Sequence, residues 1–178
     1  MLWRSDFQNA SLMLQALQRR IEDKPPKAAA RAAAKIAEST PEEVFHLHRQ
    51  AQSQRARTLS TLVIRVEGDY SIKLRRAPDW KEALTEAWGP ATGAAQVVSL
   101  RELLGVVGAH EWRKKGVEIA ALGDEPNNRI HPHYGVFSPV RGEYIDLVAH
   151  TPLPSKALAF DIGTGTGVLS AVLARRGV

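Results

Sequence analysis

Residues 157–178 read ALAFDIGTGTGVLSAVLARRGV, and this stretch decides the fold prediction. Its apolar run ends at Asp161 and predicts a buried strand, and a D-x-G-x-G-x-G pattern continues to Gly167. A tight turn from a strand to a helix requires residues that tolerate positive φ and lack a Cβ, so that the backbone can approach a ligand. A helix beginning near Val168 would direct its free N–H groups at that ligand. The stretch therefore predicts the ligand-binding strand end of an open α/β sheet.

The spacing of the glycines distinguishes between cofactors. The dinucleotide fingerprint G-x-G-x-x-G fails at its last glycine, because Val168 stands three residues after Gly165. The phosphate-loop pattern G-x-x-x-x-G-K-[ST] fails too, because its lysine is absent. The glycine spacing therefore argues against a nicotinamide-dependent dehydrogenase, and we rank this function below the two that are considered next.

The D-x-G-x-G-x-G stretch resembles motif I of the class I S-adenosylmethionine-dependent methyltransferases. The resemblance implies a Rossmann-like domain whose glycine turn cradles the amino-acid and ribose parts of S-adenosylmethionine. It also implies that Asp161 lies near the methionine part of the cofactor, directly or through water. The cofactor-binding residues that it implies on the turn are Asp161, Gly163, Thr164, Gly165 and Gly167.

A second segment, HPHYGVFSPVRGEYIDLV at residues 131–148, precedes the glycine motif. It resembles the segment ahead of motif I in the group that contains the release-factor glutamine methyltransferases and the ribosomal RNA guanine-N2 methyltransferases. In that group an aromatic–x–Pro stretch leads into a short helix and folds over the cofactor pocket. The resemblance therefore places Phe137, Ser138, Pro139 and Arg141 beside the cofactor, and Glu143 and Tyr144 at the helix start. Alternatively, Phe137 and Tyr144 only pack that helix onto the sheet.

Helical signals dominate the region ahead of these motifs. Ser5 or Asp6 caps a predicted helix over residues 6–23, and an alanine-rich helix follows the prolines at 25 and 26. Thr40 and Glu43 form a capping box for a third helix. Alternation around Gly68 and Asp69 predicts a β-hairpin. The predicted fold is α/β: a helical N-terminal region with a small β-hairpin, followed by the start of a Rossmann-like methyltransferase domain.

The sequence lacks two further features of such an enzyme. An acidic residue about 20 residues after the glycines would hydrogen-bond the cofactor ribose, and an Asn-Pro-Pro-aromatic motif orients the acceptor nitrogen in this group. We therefore expect a truncated methyltransferase, with a substrate-recognition or accessory domain at residues 1–125. Residues 126–178 would be the incomplete start of the S-adenosylmethionine-binding domain. We predict no catalytic residue within the chain and no turnover by it alone.

Positive charge is concentrated ahead of the glycine motif. Residues 1–60 hold ten Lys and Arg against six Asp and Glu, residues 61–116 hold nine against seven, and residues 117–178 hold five against six. A basic region suits a polyanion such as RNA, because phosphate contacts supply affinity for any sequence. The expected methyl acceptor is a nitrogen of RNA or protein. The alternative function is a non-catalytic binding module that recognises nucleic acid or a protein partner.

Other site types and compartments find little support in the sequence. The chain has no cysteine, and it has no run of the roughly 20 apolar residues that a membrane span requires. We therefore expect a cytoplasmic protein with no membrane partner. His131 and His133 lie in a loop without a third ligand, so no metal site is predicted.

Overall fold

The computed structural model describes residues 1–23 and 25–178, with the backbone alone for Pro26 and Lys35. This part of the chain is a mixed α/β structure, as predicted. Its helices are α1 (Phe7–Glu22), α2 (Pro26–Ala37), α3 (Pro41–Leu59), α4 (Lys81–Trp88), α5 (Leu100–Lys115), α6 (Glu143–His150) and α7 (Val168–Arg175), with a 3₁₀ turn at Ala120–Leu122. Its strands are β1 (Val63–Val66), β2 (Gln96–Ser99), β3 (Val117–Glu118) and β4 (Arg129–Ile130). No helix in residues 1–23 and 25–178 combines the length and apolarity needed to cross a membrane.

The helix starts confirm the capping signals in the sequence. The Asp6 carboxylate accepts hydrogen bonds from the backbone N–H groups of Gln8 and Asn9 at the start of α1. At α3 the capping box is complete, with the Thr40 hydroxyl and the Glu43 carboxylate each accepting from the other residue's backbone N–H. These bonds satisfy N–H groups that the first turn of a helix leaves without partners.

The first of two compact units comprises residues 1–85 and 90–105. Strand β1 pairs with β2 in antiparallel register, with Ile64 opposite Val98, and both of these side chains are buried. Phe7 of α1 meets Trp80 edge to face, with ring centroids 5.1 Å apart. Helices α2 and α3 contribute few buried side chains to this unit, and in α3 only Leu59 is buried.

The second unit comprises residues 86–89 and 106–178. Strands β3 and β4 form its antiparallel pair. Its core joins one face of α6 to one face of α7 and to the segment around β3, through Val117, Ile119, Leu122, Ile145, Val168 and Val172. The predicted functional division near residue 125 falls inside this unit and stays a prediction.

The predicted β-hairpin is wrong. The turn itself forms, because the Tyr70 N–H donates to the Glu67 carbonyl and the Glu67 N–H donates to the Ser71 carbonyl. Tyr70 adopts a φ of 64°, and the chain then leaves β1 and reaches Arg75, which pairs with Asp6. The partner of β1 is β2, some 30 residues later, because Val98 supplies the apolar side chain opposite Ile64. The alternating pattern predicted the strand but not its partner.

Residues 157–162, predicted as a buried strand, pair with no other strand in the described part of the chain. Their apolar side chains are exposed: Leu158 by 67%, Phe160 by 80% and Ile162 by 95%. These side chains alternate along the chain, as they do in a strand. The two sheets that form are antiparallel pairs, so the Rossmann-like sheet remains a prediction.

Candidate functional site

The predicted glycine turn lies directly before α7. Gly163, Gly165 and Gly167 have φ values of 80°, 54° and 75°, in the left-handed region that residues with a Cβ rarely adopt. The Gly167 N–H donates to the Thr164 carbonyl at 2.7 Å and closes the turn. A Cβ built on Gly163 or Gly167 would meet no atom within 4 Å. The glycines therefore serve the backbone conformation, and the space beside them is open to a ligand.

Asp161 is tied to the first turn of α7. Its Oδ2 accepts hydrogen bonds from the Ser170 backbone N–H at 3.2 Å and from the Ser170 hydroxyl at 2.7 Å. Gly167, the residue at the helix cap, has no side chain with which to cap it. The carboxylate takes over that role, and its charge is favoured at the positive end of the helix dipole. Asp161 Oδ1 makes no hydrogen bond to any described residue, so it can accept one from a ligand.

A cavity of about 410 Å³ lies beside the turn, between α6 and α7. Its wall is mainly apolar, including Leu147, Phe160 and Leu169, and Asp161 and Arg176 contribute charged groups. Binding sites for small molecules are typically apolar clefts of roughly 300–1,000 Å³ with a few polar groups. The cavity therefore has the size and lining of a small-molecule site.

Arg176 fixes one wall of this cavity. Its guanidinium donates to the backbone carbonyl of Val148, and it donates to that of Thr151 at 2.7 Å. The last carbonyls of a helix lack partners within the helix, so these bonds stabilise the end of α6. Arg176 therefore holds α6 and the segment after it against α7.

The segment at residues 137–141 faces a different cavity. Ser138 and Val140 line a space of about 270 Å³ together with Trp112. Phe137 is 69% exposed, Pro139 is buried and Arg141 is exposed. Of the residues predicted beside the cofactor in this segment, Ser138 alone lines that second cavity. Asp161 lies at the cavity between α6 and α7, whereas Phe137, Pro139 and Arg141 do not line it.

The start of α6 fits the packing alternative for Tyr144. Glu143 is the first residue of the helix and is exposed, and Tyr144 packs against the core cluster of the second unit. Burial raises the pKa of the Tyr144 phenol above its ordinary value. The neutral, half-buried phenol therefore contributes to packing.

A partly buried cluster of ionisable side chains in the second unit was missed by sequence reasoning. His110 is 6% exposed, and its Nδ1 lies 2.9 Å from Glu86 Oε2, which also accepts from Arg113 Nη1 at 2.7 Å. Burial acts to raise the pKa of Glu86, but the hydrogen bond to His110 and the charge of Arg113 outweigh it, so the pKa lies below its ordinary value. His110 and Arg113 are three residues apart and share one face of α5. That spacing was a usable signal, but Glu86 lies far away in the sequence.

Residues 1–23 and 25–178 contain no group of three or more His, Cys, Asp or Glu side chains placed to hold a metal ion. Comparisons with protein-family models, with curated proteins and with solved structures found no match to this chain. The functional argument therefore depends on the geometry of the chain and on its motifs.

Proposed function

We propose that this chain is the N-terminal portion of an S-adenosylmethionine-dependent methyltransferase that acts on a nitrogen of RNA or protein. The observation that carries the proposal is the turn between Asp161 and Gly167. Its three glycines adopt left-handed conformations and lead directly into α7, and the space beside Gly163 and Gly167 is open. This is the backbone geometry that a nucleotide-type ligand needs at a strand end.

The exposed segment before the turn supports a Rossmann-like sheet. The large apolar side chains Leu158, Phe160 and Ile162 stand at alternate positions of the segment, and all three are exposed to solvent. A central parallel strand is apolar because neighbouring strands and helices bury it. We therefore propose that residues 157–162 become such a strand when its neighbours are present, with Asp161 at its carboxyl end.

The residues of the turn fit the cofactor. The open space beside Gly163 and Gly167 would admit its amino-acid part close to the backbone. Asp161 Oδ1 would accept a hydrogen bond from the ammonium group, while Oδ2 stays bonded to Ser170. The apolar wall of the adjoining cavity would exclude water from one side of the ligand.

When bound, S-adenosylmethionine supplies an electrophilic methyl group on a sulfonium. Transfer to nitrogen is a direct displacement, which an enzyme accelerates mainly by holding the two reacting atoms in line. The turn would fix the methyl donor, but the Asn-Pro-Pro-aromatic motif that would orient the acceptor is absent from residues 1–178. We therefore propose that this chain binds the cofactor without turnover.

Calorimetric titration with S-adenosylmethionine tests the proposal. Two alanine variants, one in the turn and one elsewhere, show whether any binding depends on the turn. Gly163 and Gly93 have φ values of 80° and 81°, and an added Cβ would meet no atom at either position. Gly163→Ala and Gly93→Ala should therefore lose similar unfolding free energy, about 1–2 kcal/mol each. Only Gly163→Ala should also lose cofactor affinity, by tenfold or more, which is about 1.4 kcal/mol or more.

The same titration separates the competing functions. Absence of S-adenosylmethionine binding, or equal affinity in the wild-type chain and the Gly163→Ala variant, would contradict the proposal. Binding of a nicotinamide dinucleotide instead would indicate a dehydrogenase. Binding of nucleic acid or protein without any cofactor affinity would support the non-catalytic binding module.

A further inference from the structure

A groove in the first unit collects positive charge from three separate parts of the chain. Its volume is about 310 Å³, and its lining includes the cations Arg4, Arg65 and Lys73, a single carboxylate from Glu67, and Trp3. All of these residues belong to the first compact unit. Arg4 lies 61 residues before Arg65 and 69 residues before Lys73, so no local sequence motif predicts the groove.

The N-terminal segment pairs with two other segments of this unit. Leu2 forms a parallel bridge with Val63, and Asp6 forms another parallel bridge with Arg75. Backbone hydrogen bonds of 2.9 Å, from Trp3 to Val63 and from Phe7 to Arg75, hold the segment at its two ends. The backbone positions of the segment are therefore set by long-range pairing.

The fold brings the three cations to one groove. Arg4, Arg65 and Lys73 are all exposed, and all three line the same space. The two bridges anchor the N-terminal segment, which supplies Arg4, to the parts of the chain that supply Arg65 and Lys73.

The chain itself neutralises these three cations only in part. Arg65 donates to Glu67, with Nε 3.2 Å from Oε1, while Arg4 and Lys73 form no ion pair within the described residues. The nearby Asp6 carboxylate is already engaged, because it caps α1 and accepts from Arg76 Nε at 2.6 Å. A polyanion that enters the groove would supply the negative charge that these cations lack.

We propose that this groove binds the backbone of single-stranded RNA, with Arg4, Arg65 and Lys73 each contacting a phosphate and Trp3 offering its ring to a base. Phosphate contacts and aromatic stacking together are the usual means of binding a single strand. Trp3 is partly exposed, and its indole N–H donates to the Asp6 carbonyl at 2.8 Å, which holds the ring in place. If the groove is the surface that binds the methyl acceptor, this inference rests on the proposed function. Of the two proposed acceptors, RNA and protein, it then favours RNA.

Fluorescence anisotropy of a labelled oligouridylate, measured without cofactor, tests this inference. Each phosphate contact to a single strand contributes about 0.7 to the slope of log affinity against log salt concentration. Arg4→Gln and Lys73→Gln should each lower the slope by about 0.7, and this corresponds to about a fourfold loss of affinity at physiological ionic strength. Glu67→Gln should act in the opposite direction and strengthen binding, because it removes the carboxylate from the groove.

Arg49→Gln is the matched control. Arg49 is exposed on α3, belongs to the same unit and does not line the groove, and its substitution removes the same charge. The affinity of the Arg49→Gln variant for the oligonucleotide should differ less than twofold from that of the wild-type chain. Absence of RNA binding, an equal loss in Arg49→Gln, or binding only to vesicles of anionic phospholipid would overturn the inference. Because cofactor binding is titrated separately, failure of the RNA groove and failure of the proposed methyltransferase function are distinguishable.

Discussion

The Asp161 carboxylate caps α7 through Ser170, with its Oδ2 2.7 Å from the Ser170 hydroxyl and 3.2 Å from the Ser170 backbone nitrogen. The glycine at the helix start has the left-handed conformation that the turn requires, and this residue cannot cap the helix with a side chain. The turn and the helix are thus joined by an acid that stands six residues before the cap position. The same acid is the one that the methyltransferase resemblance places near the cofactor.

Replacement of Asp161 should therefore loosen α7 even without any ligand. We expect Asp161→Ala to cost about 1 kcal/mol, as the loss of a helix cap usually does, and to speed amide exchange at Ser170. Asp161→Asn should retain most of the protection, because the amide oxygen can still accept. Asp124→Ala, at an exposed loop position, is the control. Unchanged exchange at Ser170 in Asp161→Ala would show that the carboxylate does not cap the helix.

The partly buried cluster of Glu86, His110 and Arg113 should contribute to stability. Removal of Glu86 takes away one hydrogen-bond acceptor from the buried His110 ring and one from Arg113, and the loss of such a partner usually costs about 1–3 kcal/mol. We therefore expect Glu86→Ala to lower the urea midpoint markedly. Glu111→Ala removes an exposed acid that lies 3.9 Å from Lys114, and it should cost less than about 1 kcal/mol. Equal losses in the two variants would contradict the assigned role of the cluster.

Acid should weaken the same cluster. The pKa of Glu86 is lower in the folded chain than its ordinary value of 4.5. The resulting stabilisation is fully present above that ordinary value and is lost as the pH falls through the lowered pKa of the folded state. Urea unfolding at a series of acidic pH values should thus show a smaller pH dependence for Glu86→Gln than for the wild-type chain. Identical pH profiles would show that Glu86 does not carry this dependence.

The exposed segment at residues 157–162 should promote self-association. Its apolar side chains are accessible and its backbone pairs with no other strand in the described residues, and such edges associate with one another. We expect sedimentation velocity to show association that increases with concentration and decreases in Phe160→Ser and Ile162→Ser. Val97→Ser is the control, because Val97 is 59% exposed but lies in the paired strand β2. A wild-type chain that stays monomeric at every concentration would contradict this prediction.

The candidate site was predictable only in its local part. The glycine conformations and the start of α7 follow from residues within a few positions of one another, and the structure contains both. The second predicted segment, at residues 137–141, lies against another cavity. Its relation to the turn depends on packing between distant segments, which a motif match does not specify.

The sequence alone predicted the start of α1, at Ser5 or Asp6, and the start of α3, at Thr40, because capping acts across only a few residues. It also determined the left-handed turn before α7, because only glycine adopts that backbone without strain. Tertiary structure decided the partner of β1, the hydrogen bond between Glu86 and His110, and the groove shared by Arg4, Arg65 and Lys73. Each of these depends on the energy of burying or pairing groups that lie tens of residues apart. That energy belongs to the folded arrangement as a whole, and no short stretch of the chain contains it.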